Sequence, residues 1–330
     1  MIYKDLYNEV LIKPCQEGAN NLKIISGYAT SAMASDHLDD LSKKNLDVKI
    51  SLIVGMCPID GLSLSNHNGF QSIINSQVGS FQNHFSCSYI YKAPPIHAKL
   101  YAWYKNENFY KAFIGSANYS QNAFYRQREL LAEIYDDNIS DYFKEIKNDS
   151  IFCNLPEAET LITIHNDANY YRRHINEEHH ITGAINDTGT IIEHVTVPLY
   201  SSRTGEVQNH AGLNWGHRDN YKREPNQAYI QLPPDVYNSD FFPLRSQHFT
   251  VVTDDSKTFI CSRGQKETTP GAAILTPHNN SLLGEYFRNR LGLASGAFVT
   301  RDDLRRYGRE DVEFYKIGDE YYMDFQPINK

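Results

Sequence analysis

The sequence predicts an α/β domain followed by an all-β domain. Three patterns carry that expectation. As far as about residue 150, short apolar runs alternate with segments of helical period, as when helices flank a mixed sheet. The stretch Glu157–Thr188 is then polar, with no sustained period. Beyond it come many short strand-like runs separated by turn residues, which point to a small closed or half-closed barrel. The expected division is 1–165 for the first domain, 166–190 for a linker and 191–330 for the second.

Taken in order, Met1–Cys15 puts Leu6, Val10 and Leu11 on one side of a helical segment. Leu22–Gly27 reads as a strand and Ser31–Lys44 as a helix with Met33, His37, Leu38 and Leu41 near one face. Val48–Met56 is almost continuously apolar, as a strand buried on both faces would be. A helix over Gly69–Ser76 and a strand over Ser86–Lys92 follow. A strand from His97, a polar turn at Lys105-Asn106-Glu107-Asn108, a strand Phe109–Ser116 and an extended segment Arg128–Tyr135 come next. The strands around His97 and Glu129 are expected at the middle of the sheet, and a helix Ser140–Lys147 closes the domain. In the second half, strands are expected over Glu193–Tyr200, Ala228–Leu232, His248–Thr253, Thr258–Cys261 and Ala272–Leu275. A final hairpin pairs Val312–Ile317 with Tyr321–Phe325 across Gly318-Asp319. A helix opening at Asn280 or Ser281 should end at Arg290, with Gly292 just past it. Thr300-Arg301-Asp302-Asp303 resembles a capping box with Asp in place of Glu, and Gly308 stops the helix it opens.

Bulk properties exclude several classes. The 330 residues, 41% hydrophobic and 22% charged, are ordinary for globular domains. No run of eighteen apolar residues exists, and acidic residues stand in the N-terminal segment, so a cytoplasmic protein with no membrane partner is expected. Five scattered cysteines, none in a CxxC pattern, argue against a disulfide framework or a cysteine zinc site. The net charge of −8 does not decide for or against nucleic acid, because binding depends on the local field over the contact surface.

The chemistry concentrates in HAKLYAWYKNENFYKAFIGSANYSQNAFYRQRE, His97 to Glu129. Two apart on a strand, His97 and Lys99 project to the same side. The following strand ends in Gly115-Ser116-Ala117-Asn118, whose short polar side chains can reach back toward His97, and Glu129 opens a third extended segment.

HxK, then GSxN, then Glu resembles the phospholipase D superfamily, and more closely the NgoFVII-type restriction endonucleases, which include the BfiI-like enzymes. The second half carries the resemblance through GLNW and NSLLGEYFRNRLGL. One departure is Tyr104, which stands where the phospholipase motif has Asp five residues after the Lys; this disfavours a lipid-head-group enzyme more than a nuclease. The resemblance implies a phospholipase D-like mixed sheet with flanking helices, then a B3-like pseudobarrel that binds double-stranded DNA. It implies a restriction endonuclease working without a metal or other cofactor. In it, His97 attacks phosphorus to give a phosphohistidine and Lys99 supplies positive charge. Asn118 and Ser116 donate to the non-bridging oxygens, and Glu129 accepts a proton from the other imidazole nitrogen.

Such chemistry wants a second imidazole for the leaving group, yet His84, His165, His217 and His248 are followed two residues later by Ser, Asp, Asp and Thr. A homodimer sharing one site across a two-fold axis is therefore expected. The rival chemistry is a metal-dependent nuclease using Asp136, Glu145 and Lys147, although Ile139, Tyr142, Phe143 and Ile146 repeat at helical spacing there. A second rival is a catalytically inactive DNA-binding protein. By the same resemblance, an N-arm (Ser201–Glu224) and a C-arm (Ser262–Pro270) enter the major groove. They offer Arg203, Asn214, Arg218, Asn220, Lys222 and Arg223 in the first, and Arg263, Gln265 and Lys266 in the second. Leu213 and Trp215 are expected to pack the base of the N-arm. A cognate DNA methyltransferase is an implied partner, and so, for some relatives, is a separate ATP-dependent translocase subunit.

Overall fold

The structure, a computed structural model, describes residues 1–76, 84–166, 193–218, 222–244, 247–264, 271–317 and 320–328. The chain divides into two compact units, Met1–His165 and Asn166–Lys330. Nearly all of the expected linker, and the Gly318-Asp319 turn, lie outside the described residues.

Unit 1 is built on a seven-stranded mixed sheet. Its members are β1 (Asn21–Ser26), β2 (Lys49–Val54), β4 (Phe85–Ile90), β5 (Lys99–Lys105), β6 (Asn108–Gly115), β7 (Leu131–Ile134) and β8 (Ser150–Phe152), in the order β7-β6-β5-β1-β2-β4-β8. A separate short pair joins β3 (Leu62–Ser63) to β9 (Ile164–His165). The apolar run of β2 is explained by its place between two parallel neighbours, β1 and β4. Strand alternation divides β5 between two faces. Leu100, Ala102 and Tyr104 join Ile139, Phe143 and Ile146 of the helix Ile139–Lys147 in one core cluster. Trp103, of opposite parity, points toward the N-terminal helical segment, where its indole N–H donates to the Val10 carbonyl at 2.8 Å. On β4, Tyr89 and Phe85 meet His67 and Phe70 of the helix Leu64–Ser76.

Three details differ from expectation. β7 is an outermost strand, not a central one; it is only four residues long and only Leu131 of the four is buried, as befits an edge strand. The helix Leu64–Ser76 starts five residues earlier than its apolar period announces, because Asn66 bonds to the Ser63 hydroxyl and His67 is buried against Tyr89. The N-terminal segment is a π-helical stretch, Tyr7–Ile12, running into a short α-helix.

The topology gathers chain ends at one place. β5 runs antiparallel to β1 with Lys99 opposite Ser26, and β6 meets β7 with Gly115 opposite Leu131. The ends of β1, β2 and β6 and the starts of β5 and β7 therefore share one end of the sheet, where α/β sheets place their ligands.

Unit 2 carries a second seven-stranded sheet. It comprises β10 (Glu193–Pro198), β11 (Ile230–Gln231), β12 (His248–Thr253), β13 (Thr258–Gly264), β14 (Ala273–Leu275), β15 (Asp311–Ile317) and β16 (Glu320–Asp324). The order is β10-β15-β16-β12-β13-β14-β11, and the two end strands come close to each other, so the sheet nearly closes on itself. Its interior is aromatic, with Phe242 in ring contact with Phe249, Phe314 and Tyr321, and Phe249 with Tyr321. The helix Leu282–Leu291 ends on left-handed Gly292, and Arg301–Tyr307 has the full Thr300/Asp303 capping box and ends on left-handed Gly308. Among the described residues no helix is long and apolar enough to cross a membrane.

Candidate active site

Lys99 is the first residue of β5, and His97 lies two residues before it in the approach to the strand. The ammonium is 2.9 Å from His97 Nε2 and donates to the His97 carbonyl at 2.7 Å. An ammonium has donors only, so Nε2 accepts and the imidazole proton sits on Nδ1. Lys99 is 7% exposed, whereas the His97 ring is open to solvent. Burial holds the Lys99 pKa below the ordinary lysine value, and the Glu129 carboxylate opposes that shift.

Two glycines make the approach possible. A β-carbon at Gly55, just after β2, would lie 1.9 Å from the Ile96 carbonyl oxygen, so only glycine lets the chain ahead of His97 pack there. One at Gly27, just after β1, would lie 3.1 Å from His97 Cδ2 and 3.4 Å from Lys99 Nζ.

Asn118, beyond the end of β6, is held by β1. Its Oδ1 accepts from the Tyr28 backbone N–H at 3.1 Å and lies 3.3 Å from the Ser26 hydroxyl. Ser26 is fully buried; it donates to the Tyr28 carbonyl at 2.5 Å and accepts from Tyr119 N–H at 2.9 Å. With the carbonyl end of the amide so committed, the Nδ2 donors are the end left to meet an anion. Tyr28 itself stands edge-on to His97, ring centres 6.0 Å apart, and its hydroxyl donates to Asp60 Oδ2 at 2.6 Å.

Glu129 and Ser116 take places other than those expected. Glu129 accepts a hydrogen bond from the Ser116 hydroxyl, and no hydrogen bond joins it to His97 among the described residues. Ser116 also accepts from Leu130 N–H at 3.0 Å, so its hydroxyl secures the start of β7 instead of turning toward a phosphate. Tyr104, at the position of the missing Asp, is buried with its hydroxyl 3.1 Å from Ser140 Oγ, and so packs the core. Sequence reasoning missed Ser26, Gly27, Tyr28 and Asp60. The signal available was a glycine ending an apolar strand ahead of a Tyr-Ala-Thr-Ser helix start.

The residues of the rival metal reading are not brought together as a strand motif. Asp136 precedes the helix Ile139–Lys147, and Glu145 and Lys147 occupy its exposed side.

In unit 2, Arg203, Arg218 and Lys222 are exposed. Arg223 is half-buried, its guanidinium 4.1 Å from the Trp215 ring centre and bonded to Gln227 Oε1 at 3.1 Å. Leu213 is buried, and Trp215 packs edge-on to Tyr229 at 5.5 Å. Two expected base readers are corrected. Asn214 is fully buried, donating to the carbonyls of Gln208 at 3.2 Å and Val299 at 2.8 Å while accepting from Val299 N–H at 2.9 Å. Arg263 is buried and donates to the carbonyls of Gly271 at 3.0 Å, Pro243 at 3.4 Å and Tyr237. Both satisfy backbone groups of buried loops, work that requires the same side-chain donors as base reading. Asn220, Gln265 and Lys266 lie outside the described residues.

Comparison with known proteins completes this picture. Residues 4–160 match the NgoFVII restriction endonuclease N-terminal PLD domain, and residues 189–318 match the NgoFVII C-terminal B3-like DNA-binding domain. A search of curated proteins finds no significant match. Among solved structures, NucT from Helicobacter pylori is 17% identical with a TM-score of 0.31, over 46% of this chain and 96% of that one. Polyphosphate kinase from Porphyromonas gingivalis is 13% identical with a TM-score of 0.27, over 52% and 26%. Likenesses that weak carry no weight beside the two domain matches. The chain belongs to the NgoFVII restriction endonuclease family, a phospholipase D-type nuclease domain followed by a B3-like DNA-binding domain.

Proposed function

We propose that this endonuclease cuts double-stranded DNA site-specifically, without a metal, through a phosphohistidine formed at a site shared by two copies of the chain. The observation that carries the reading is the contact of His97 Nε2 with the buried Lys99 ammonium, together with an Asn118 amide whose carbonyl end is already bound by Tyr28, the residue whose ring meets His97. When a phosphodiester enters, its non-bridging oxygen draws the ammonium from Nε2 and frees the lone pair. Nε2 then bonds to phosphorus as the P–O bond to the leaving alkoxide breaks. The partner's His97, protonated, gives that oxygen its proton. The now neutral imidazole takes a proton from water, whose oxygen displaces Nε2 from phosphorus and restores His97. Lys99 and the Asn118 Nδ2 donors neutralise the oxygens throughout. Glu129 acts through charge on Lys99 and through Ser116, which it holds. Arg203, Arg218, Lys222 and Arg223 remain the DNA-contacting candidates of unit 2. A companion methyltransferase, which protects host sites, and a translocase subunit belong to the proposal as partners.

Two tests follow. Plasmid cleavage should proceed at an undiminished rate in excess EDTA; loss of activity there, restored by magnesium, would support the Asp136/Glu145/Lys147 reading instead. The second concerns pH. Lys99 must be charged to act, and burial lowers its pKa, so activity is lost as pH rises through that lowered value. The alkaline limb of kcat/KM should fall below the ordinary lysine range, and Lys99→Arg should abolish the limb in whatever activity it retains.

A further inference from the structure

We infer that Tyr28 and Asp60 form a positioning pair that sets the orientation of the Asn118 amide. The inference rests on the nuclease reading above and adds residues to it. Asn118 follows a different strand from Tyr28, yet its orientation is decided by Tyr28: the backbone N–H requires an acceptor and so takes Oδ1. If that N–H moved, the amide could turn, presenting an oxygen to the phosphate where a donor is needed. The backbone on one side of Tyr28 gives little resistance, since Gly27 has no side chain to anchor it, and a β-carbon there would crowd His97 Cδ2 at 3.1 Å. What fixes Tyr28 is its two ends. The Ser26 hydroxyl holds its carbonyl at 2.5 Å, and the phenol donates to the Asp60 carboxylate at 2.6 Å, a charge-assisted bond.

Asp60 is itself well placed to serve as a post. It closes the short helix Cys57–Asp60, where Asp60 N–H bonds to the Met56 carbonyl at 3.0 Å. Its carbonyl lies 2.9 Å from His165 Nε2. Tyr28 is 44% exposed, so this bond is not needed to fill the core. An exposed tyrosine whose hydroxyl, ring edge and backbone N–H reach a carboxylate, the His97 ring and the Asn118 amide is placed for positioning. Misplacement of a catalytic donor by a fraction of an ångström lowers turnover without weakening ground-state binding.

The test uses the full chain and bis(p-nitrophenyl) phosphate, a phosphodiester small enough to bypass DNA recognition. Tyr28→Phe keeps ring and backbone and removes the hydroxyl; Asp60→Ala removes its acceptor. Each should lower kcat roughly tenfold at unchanged KM and unchanged melting temperature, and the double variant should lose no more than either single one. Asp60→Asn, which keeps an acceptor oxygen, should recover most of the rate. In an Asn118→Ala background, Tyr28→Phe should cost nothing further. A raised KM with intact kcat would make Tyr28 a substrate contact and overturn the inference, as would full additivity with Asn118→Ala. His97→Ala, run alongside, separates the two claims: if it stays active the nuclease reading fails, whatever Tyr28→Phe does.

Discussion

Replacing His97 by Ala should reduce DNA cleavage by about four orders of magnitude or more, because the attacking atom is removed and nothing beside it can substitute. Lys99 remains, but in the proposed reaction it serves to neutralise charge on the phosphate oxygens and does not attack phosphorus. Fold and DNA affinity should persist: the ring is exposed, so its loss opens no cavity. Mixing then tests the shared site. If both imidazoles serve one phosphodiester, a dimer with a single His97 is dead for turnover, and an equimolar mixture of wild type and His97→Ala, after subunit exchange, has roughly a quarter of the wild-type activity per total protein. If each subunit works alone, roughly half survives, and the symmetric proposal falls. A shared site also handles one strand at a time, so nicked plasmid should build up before linear product appears.

How legible was this site in the sequence? His97, Lys99 and Asn118 could be singled out because HxK and GSxN are short local patterns, although strand alternation was the wrong reason for pairing His97 with Lys99, since β5 begins only at Lys99 and Asn118 lies beyond β6. The β1 contribution was not legible. Ser26 and Tyr28 reach Asn118 through a separation of about ninety residues, and no periodicity records which loop will cross which strand end. The place of β7 at the sheet edge was lost for the same reason: pairing order is a property of the whole sheet, whereas the pattern of four residues reports only which side faces the core. In unit 2 most elements could be read from turn residues and caps, since Thr300, Gly292 and Gly308 act within one helical turn. The polar arm residues could not be sorted. Arg263 and Asn214 differ from Arg203 and Arg218 only in where the backbone carries them, and a buried loop needs carbonyl partners as much as DNA needs donors.

Unit 2 also holds the charge pair whose loss should most damage stability. Asp254, 4% exposed at the end of β12, receives Arg290 in two bonds, Nη1 to Oδ1 at 3.0 Å and Nη2 to Oδ2 at 2.8 Å, and its Oδ1 also accepts from Phe325 N–H at 3.0 Å. Arg290 in turn donates to the Tyr307 hydroxyl and, at 3.1 Å, to the Phe325 carbonyl. One carboxylate thus ties β12, the helix Leu282–Leu291 and the chain after β16, and through Arg290 the helix Arg301–Tyr307. Burial alone would lower the arginine pKa, but the bonds to Asp254 outweigh it and raise it. Asp254→Ala leaves a largely buried guanidinium with only neutral acceptors and Asp255, 3.4 Å from Nη1. Removing one partner of a buried pair costs about 3–5 kcal/mol, a fall of roughly 10 °C in the melting of a domain this size. Being buried, the pair should resist salt, so the loss should be similar at low and high ionic strength. Cleavage of bis(p-nitrophenyl) phosphate by unit 1 should survive temperatures at which the variant no longer binds DNA. A loss under about 1 kcal/mol would show that Asp255 takes up the charge, and that the geometry at Asp254 is a consequence of the fold, not a cause of it.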